Sequence, residues 1–187
     1  MRRPGLRLRL RLRSSSVRGN GQKPQVRRGC DLSTYCFRQA VELSGPSAVV
    51  PRVCVVGTAW GDDARDQMEM SEAGRLAGFN LTHLTLFPMP NLDDIEGHLM
   101  AQDVVWVNGG SVANLLAVWR VHGLDEIVRR VWAAGVVLAG VSAGSICWFE
   151  GGTTDSFGPG LQAVTNGMGF LPYASFPFGS LVSLLVP

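Results

Sequence analysis

The sequence has 187 residues, of which 46% are hydrophobic, so it is long and apolar enough for one domain with a buried core. The formal net charge is +2, but ten basic and no acidic residues lie in residues 1–30, which leaves residues 31–187 with a net charge of −8. This acidic body argues against nucleic-acid binding, and no apolar run reaches the roughly 18 residues that span a bilayer.

The basic N-terminal segment, residues 1–30, is predicted to be a disordered, solvated tail. Arginine interrupts its apolar residues at every second position, so it lacks the apolar stretch of a secretory signal. The same alternation is compatible with an amphipathic strand or with an arm on an anionic surface, and a start codon placed too far upstream would also produce it.

Strands and helices are predicted to alternate through residues 31–175, the expected α/β domain. Buried strands are predicted where apolar, often β-branched runs end near glycine or a turn: 51–59, 80–87, 103–110 and 136–142. Helices are predicted at 34–44, 62–79, 92–100, 112–123, 124–135 and from 143 to 150. This order predicts an open, mostly parallel sheet with helices on both faces, which binds ligands at the carboxyl ends of its strands.

The stretch "LAGVSAGSICWF" (138–149) places Ser142 between Gly140 and Gly144, where a buried strand turns into a helix. A sharp turn of this kind raises the serine hydroxyl above the sheet edge and leaves no room for flanking side chains. The N–H of Ala143 then lies at a helix N-terminus, where a negative oxygen is favoured. The pattern indicates a nucleophile elbow, the name used below for residues 140–144, although plain tight turns share it.

A second glycine pair follows the strand at 103–110, in "VNGGSVANLL" (107–116). Gly109 and Gly110 allow close backbone approach, so the Gly110 N–H is a candidate second donor to an oxyanion. An ordinary glycine turn before a helix would have the same sequence pattern.

A nucleophilic serine requires a base, and the three histidines, His83, His98 and His122, all precede Ser142. Their positions favour structural or solvent-facing roles. The four cysteines form no C-x-x-C pair, and no metal cluster or dinucleotide fingerprint is present, so we expect neither metal nor cofactor. Cys54 and Cys147 fall in apolar runs and are predicted to be buried free thiols, which fits a reducing cytoplasm.

The segment from 107 to 156 resembles the peptidase E (aspartyl dipeptidase) and cyanophycinase family of serine peptidases, and the resemblance extends over about residues 50–173. It implies a fold similar to class I glutamine amidotransferases and hydrolysis of small peptides with acidic residues. By this resemblance Ser142 matches the nucleophile, Gly110 and Ala143 the oxyanion donors, and Asp155 the acidic triad member. The family histidine position is occupied by Phe178, which cannot accept a proton.

Other departures from the family accompany this one. The first loop reads Asn108-Gly109-Gly110-Ser111 in place of three glycines and asparagine, and the family's first strand is not recognisable within residues 1–50. Residues 176–187 are apolar and uncharged, an atypical end, and the resemblance implies that C-terminal elements are lacking. An altered or truncated end would also leave sheet edges uncovered and the product unstable.

The sequence therefore predicts a serine peptidase by descent whose own turnover is impaired. A non-catalytic remnant or peptide-binding module, and a glutamine-amidotransferase-like hydrolase, stay open as alternatives. We expect a small peptide substrate, no nucleic-acid or membrane partner and a cytoplasmic protein, and a homo-oligomer is left open.

Overall fold

The structure is a computed structural model, and it describes residues 39–42, 44–45, 50–175 and 182–186. The predicted tail at 1–30, the family histidine position Phe178, and Cys30 and Cys36 lie outside the described residues. A helical segment at 39–42 and 44 precedes the first strand.

The central element is a five-stranded sheet in the order β2-β1-β3-β4-β8. Its members are β1 (Arg52–Val56), β2 (Asn80–Leu84), β3 (Val104–Val107), β4 (Val137–Val141) and β8 (Val182–Leu185). The first four pair in parallel, and β8 pairs antiparallel to β4. The predicted open, mostly parallel α/β sheet is confirmed.

Helices cover both faces of this sheet, as predicted. They are α1 (Ala64–Ala77), α2 (Ile95–Met100), α3 (Val112–Val121), α4 (Leu124–Ala133) and α5 (Ala143–Ile146), with a 3-10 turn at Thr58–Trp60. Because successive strand residues point to opposite faces, Val53 and Val55 pack with Met70 of α1, whereas Cys54 and Val56 join the core formed by α3 and α4.

Polar side chains fix the helix starts at the carboxyl edge of the sheet. Asp63 accepts hydrogen bonds from the N–H groups of Arg65 and Asp66 and so caps α1. Ser111 accepts from the N–H of Asn114 and caps α3. These caps satisfy N–H groups that have no partner inside the helix.

The helix predicted from 143 to 150 is wrong beyond its first turn. Helix α5 ends at Ile146, and Phe149–Thr154 form strand β5 of a second sheet, in the order β6-β5-β7, with β6 (Gln162–Val164) and β7 (Leu171–Ser175). Trp148 is fully buried and meets Phe170 edge-on at 5.7 Å between ring centroids. Aromatic packing and strand pairing therefore end the helix after one turn.

None of the helices within the described ranges is long and apolar enough to cross a membrane. Both described cysteines, Cys54 and Cys147, are buried and free, as predicted.

Candidate active site

The elbow lies at the carboxyl end of β4, between that strand and α5. Ser142 adopts φ 53° and ψ −118°, a backbone conformation that residues with a side chain rarely take. Its side chain is exposed, whereas Ala143 is 2% exposed. The strained turn therefore presents the hydroxyl outward from a rigid, buried support.

The flanking glycines are required by contact. A β carbon on Gly144 would overlap the carbonyl oxygen of Val107, and one on Gly140 would overlap the carbonyl oxygen of Gly144. The elbow thus packs directly on the end of β3, which a larger residue at either position would prevent.

The loop Asn108–Ser111 follows β3 and lies beside the elbow. A β carbon built on Gly109 would be 3.3 Å from Cβ and 3.8 Å from Oγ of Ser142. Gly110 has φ 134° and packs so closely on the carbonyl of Ala59 that a side chain there would overlap it. The two glycine-bearing strand ends singled out in the sequence are brought together.

Backbone N–H groups around the elbow divide into paired and unpaired sets. Asn108 N donates to the Val56 carbonyl at 3.1 Å, and Ser111 N donates to the Ala59 carbonyl at 2.8 Å. Among the described residues, no acceptor lies within hydrogen-bond geometry of the Gly110 or Ala143 N–H. These two N–H groups are therefore without a hydrogen-bond partner in the described part of the chain, which an oxyanion donor requires.

Asp155 lies in the turn that follows β5, and its side chain is exposed. Its neighbour Ser156 accepts a hydrogen bond from Val112 N at 2.9 Å, which joins this turn to the start of α3 and hence to the glycine loop. Within the described part of the chain, no hydrogen bond links the Asp155 carboxylate to Ser142.

The three histidines of the sequence lie away from the elbow. His83 is on β2 with Nε2 2.8 Å from Ser71 Oγ, and His98 Nε2 is 3.0 Å from Thr82 Oγ1, also on β2. Three strand spacings separate β2 from β4, about 14 Å. His122 caps the C-terminus of α3, about 15 Å along the helix from Val112. None of the three is hydrogen-bonded to Ser142 among the described residues.

Burial lowers the pKa of His83, although Asp66 and Asp62 oppose that change. His83 lies on the edge strand β2, hydrogen-bonded to Ser71. The structural roles predicted for the histidines agree with these positions.

Cys147 cannot replace Ser142 as a nucleophile. Its thiol is fully buried, donates to the Gly144 carbonyl at 3.3 Å, and has its pKa raised well above the usual range by burial. Only a thiolate would attack a carbonyl efficiently. A glutamine-amidotransferase-like hydrolase would use a cysteine nucleophile, so the buried Cys147 gives that alternative no support.

Two acidic residues near the site were missed by the sequence analysis. Asp62 is 8% exposed and accepts from the N–H groups of Leu86 (2.6 Å) and Phe87 (3.0 Å), while its other oxygen has no partner. Burial raises its pKa. Asp66, in the first turn of α1, accepts a hydrogen bond from Asn108. The string "GDDARD" signals a helix start, but nothing in it reveals these long-range partners.

No group of three or more His, Cys, Asp or Glu side chains that could hold a metal is found in the described ranges.

The sequence model for peptidase family S51 matches residues 39–178. An uncharacterized peptidase, YgaJ, from Bacillus subtilis (strain 168) is 45% identical over 121 residues, which are 65% of this chain and 51% of that protein. The chain belongs to peptidase family S51.

The fold is shared with a solved structure. A peptidase from an acI-B1 actinobacterium superposes with a TM-score of 0.54 at 16% identity, covering 75% of this chain and 58% of that one. A proposed peptidase E from Listeria monocytogenes EGD-e gives a TM-score of 0.46 at 24% identity, covering 59% and 57%. This chain thus spans little more than half the length of the relatives that it matches.

Proposed function

We propose that Ser142 is the nucleophile of a serine-type peptidase that acts on small peptides with acidic residues. The observation that supports this most directly is the strained backbone of Ser142, which exposes the hydroxyl beside unpaired N–H groups. Strain of this kind persists where the surrounding structure imposes it, and it is concentrated at active sites.

The proposed chemistry is acyl transfer. Ser142 Oγ forms a bond to the peptide carbonyl carbon as the carbonyl π bond opens, and the N–H groups of Gly110 and Ala143 stabilise the negative charge that develops on the carbonyl oxygen. The C–N bond then breaks, the amine leaves with a proton, and water hydrolyses the acyl-serine. In the family pattern, Asp155 would orient a histidine that takes the serine proton. Phe178 stands at that histidine position, so the proton passes to water and turnover is slow.

The expected loss of catalytic rate follows from the behaviour of serine-protease catalytic triads. Removing one triad member leaves a residual acceleration of about 10³- to 10⁴-fold over water, supplied by the oxyanion hole and by binding. We therefore expect slow hydrolysis that depends on Ser142.

Hydrolysis of an Asp-X dipeptide by the purified chain, compared with Ser142→Ala, tests this function. Slow release of free aspartate that disappears in Ser142→Ala would support it. Fast turnover at rates typical of intact serine peptidases would contradict the impaired base, and hydrolysis that persists in Ser142→Ala would contradict the nucleophile.

A second candidate function is peptide binding without turnover, favoured by the distance of all three histidines from the elbow. The unpaired N–H groups would then hold a peptide carboxylate rather than a transition state. Calorimetric titration of the chain with Asp-X dipeptides would show saturable binding with no product. Absence of heat, together with a single-chain mass in sizing, would reject this candidate.

We also propose a cytoplasmic location for the protein. Two buried free thiols, Cys54 and Cys147, are suited to a reducing compartment.

A further inference from the structure

We propose that Asp66 and Asn108 are positioning residues that hold the glycine loop in place for the oxyanion. The inference rests on the proposed nucleophile role of Ser142, and it concerns side chains that touch neither the serine nor the reacting carbonyl.

Asn108 is held to three separate elements of the fold. Its Nδ2 donates to Oδ2 of Asp66 on α1, and its Oδ1 accepts from Trp106 Nε1 at 2.8 Å. Its backbone N–H donates to Val56 on β1 at 3.1 Å. Because Asn108 is only 6% exposed and both ends of its amide are bonded, the side chain cannot turn over without leaving a buried polar group unpaired.

The rigidity of Asn108 fixes the residues that follow it. Its carbonyl oxygen lies against Gly144, where a β carbon would be only 2.8 Å away, and Gly109 contacts Ser142. At the far end of the loop, Ser111 N donates to the Ala59 carbonyl. The peptide planes of Gly109 and Gly110 are therefore held from both sides, with Gly109 against Ser142.

Asp66 supplies the partner that keeps Asn108 in this orientation. It is half-buried at the start of α1, where the helix N-terminus favours its carboxylate. Its bond to Asn108 joins residues 42 positions apart in the chain. A carboxylate acceptor gives a stronger hydrogen bond than a neutral one, so Asp66 holds the Asn108 amide more firmly than a neutral side chain would.

A side-chain exchange can separate positioning from simple stabilisation. Asn108→Asp places two carboxylates in contact and breaks the bond. In the double variant D66N/N108D, the new amide at 66 donates to the carboxylate at 108, whose other oxygen still accepts from Trp106. The hydrogen bond between positions 66 and 108 is restored with its direction reversed, and the bond from Trp106 is kept.

The test uses ¹⁵N-labelled full-length chain and follows the amide resonances of Gly109 and Gly110. Asp66→Ala, a change at a half-buried surface position, should shift both resonances, and Asp63→Ala is the matched control. The control removes a carboxylate that caps the same helix and bonds the backbone N–H of Asp66, but it leaves the Asp66 carboxylate and Asn108 unchanged. It should leave the two resonances in place.

The reactivity of Ser142 gives the second readout. We expect fluorophosphonate labelling to slow about tenfold in Asp66→Ala and in Asn108→Asp, to recover in D66N/N108D, and to be unchanged in Asp63→Ala. Failure of the double variant to recover while it unfolds cooperatively would overturn the inference. So would unmoved Gly109 and Gly110 resonances in a folded Asp66→Ala chain.

The two proposals fail separately. If wild-type Ser142 is unreactive, the proposed function fails, but the amide resonances still decide whether Asp66 and Asn108 position the loop.

Discussion

Gly140 and Gly144 meet across the elbow so closely that a β carbon on Gly140 would overlap the carbonyl oxygen of Gly144. The contact seats the first turn of α5 on the end of β4 and brings the carbonyl of Val107 against the same helix. The strained conformation of Ser142 is a consequence, because the chain must reverse within one residue between two backbones in contact.

Gly140→Ala should therefore destabilise the fold by about 3 kcal/mol, since backbone atoms cannot move aside as a side chain can. For a chain of this size the midpoint of thermal unfolding should fall by about 6–12 °C. Gly160→Ala is the control, because a β carbon there meets nothing within 4 Å. Equal midpoints for the two variants would contradict the packing described for the elbow.

The strain at Ser142 predicts an unusual pair of substitutions. Ser142→Gly should be more stable than Ser142→Ala by about 1 kcal/mol, because glycine adopts φ 53° without the clash that any β carbon suffers. Urea unfolding of the two variants measures the difference. If alanine is equal or better, the backbone at 142 is relaxed and the strain argument is wrong.

Much of this fold could be predicted from the sequence. Buried β-branched runs that end at glycine marked the parallel strands, and the Ser142 elbow and the loop at Gly109 and Gly110 were found because steric need leaves a glycine signature. The limit lies in contacts between distant segments: the second sheet through Phe149–Thr154 depends on aromatic packing that no local pattern encodes.

The acidic residues illustrate the same limit. Asp62 and Asp66 look like ordinary helix-start residues, and only the folded chain places one beside Leu86 and the other beside Asn108. The assignments of Asp155 and Phe178 come from family resemblance and stay predictions.

The buried carboxyl of Asp62 predicts a specific pH dependence. Because burial raises its folded pKa, the folded state holds this proton more tightly than the unfolded state, so stability from this group is lost as pH rises from about 4 through the raised pKa. Asp62→Asn removes the titration. The free energy of unfolding of Asp62→Asn should therefore increase relative to that of the wild type as pH rises. Parallel curves of unfolding free energy against pH would contradict the raised pKa.

Restoring the family histidine should restore catalysis if the missing base is the main defect. We expect Phe178→His to raise kcat/KM for an Asp-X dipeptide by about 10²- to 10⁴-fold, the usual contribution of a positioned general base. Phe178→Ala is the control, since it removes the ring without supplying a proton acceptor. A similar gain in both variants would attribute the effect to access rather than to proton transfer.

The role of Ser142 as the nucleophile is tested most directly by intact-mass analysis after treatment with a fluorophosphonate, which reacts with activated serines. We expect slow addition of one phosphonyl group to the wild-type chain, faster addition to Phe178→His, and none to Ser142→Ala. No adduct on a cooperatively folded Phe178→His chain, or an adduct that persists in Ser142→Ala, would contradict Ser142 as the nucleophile.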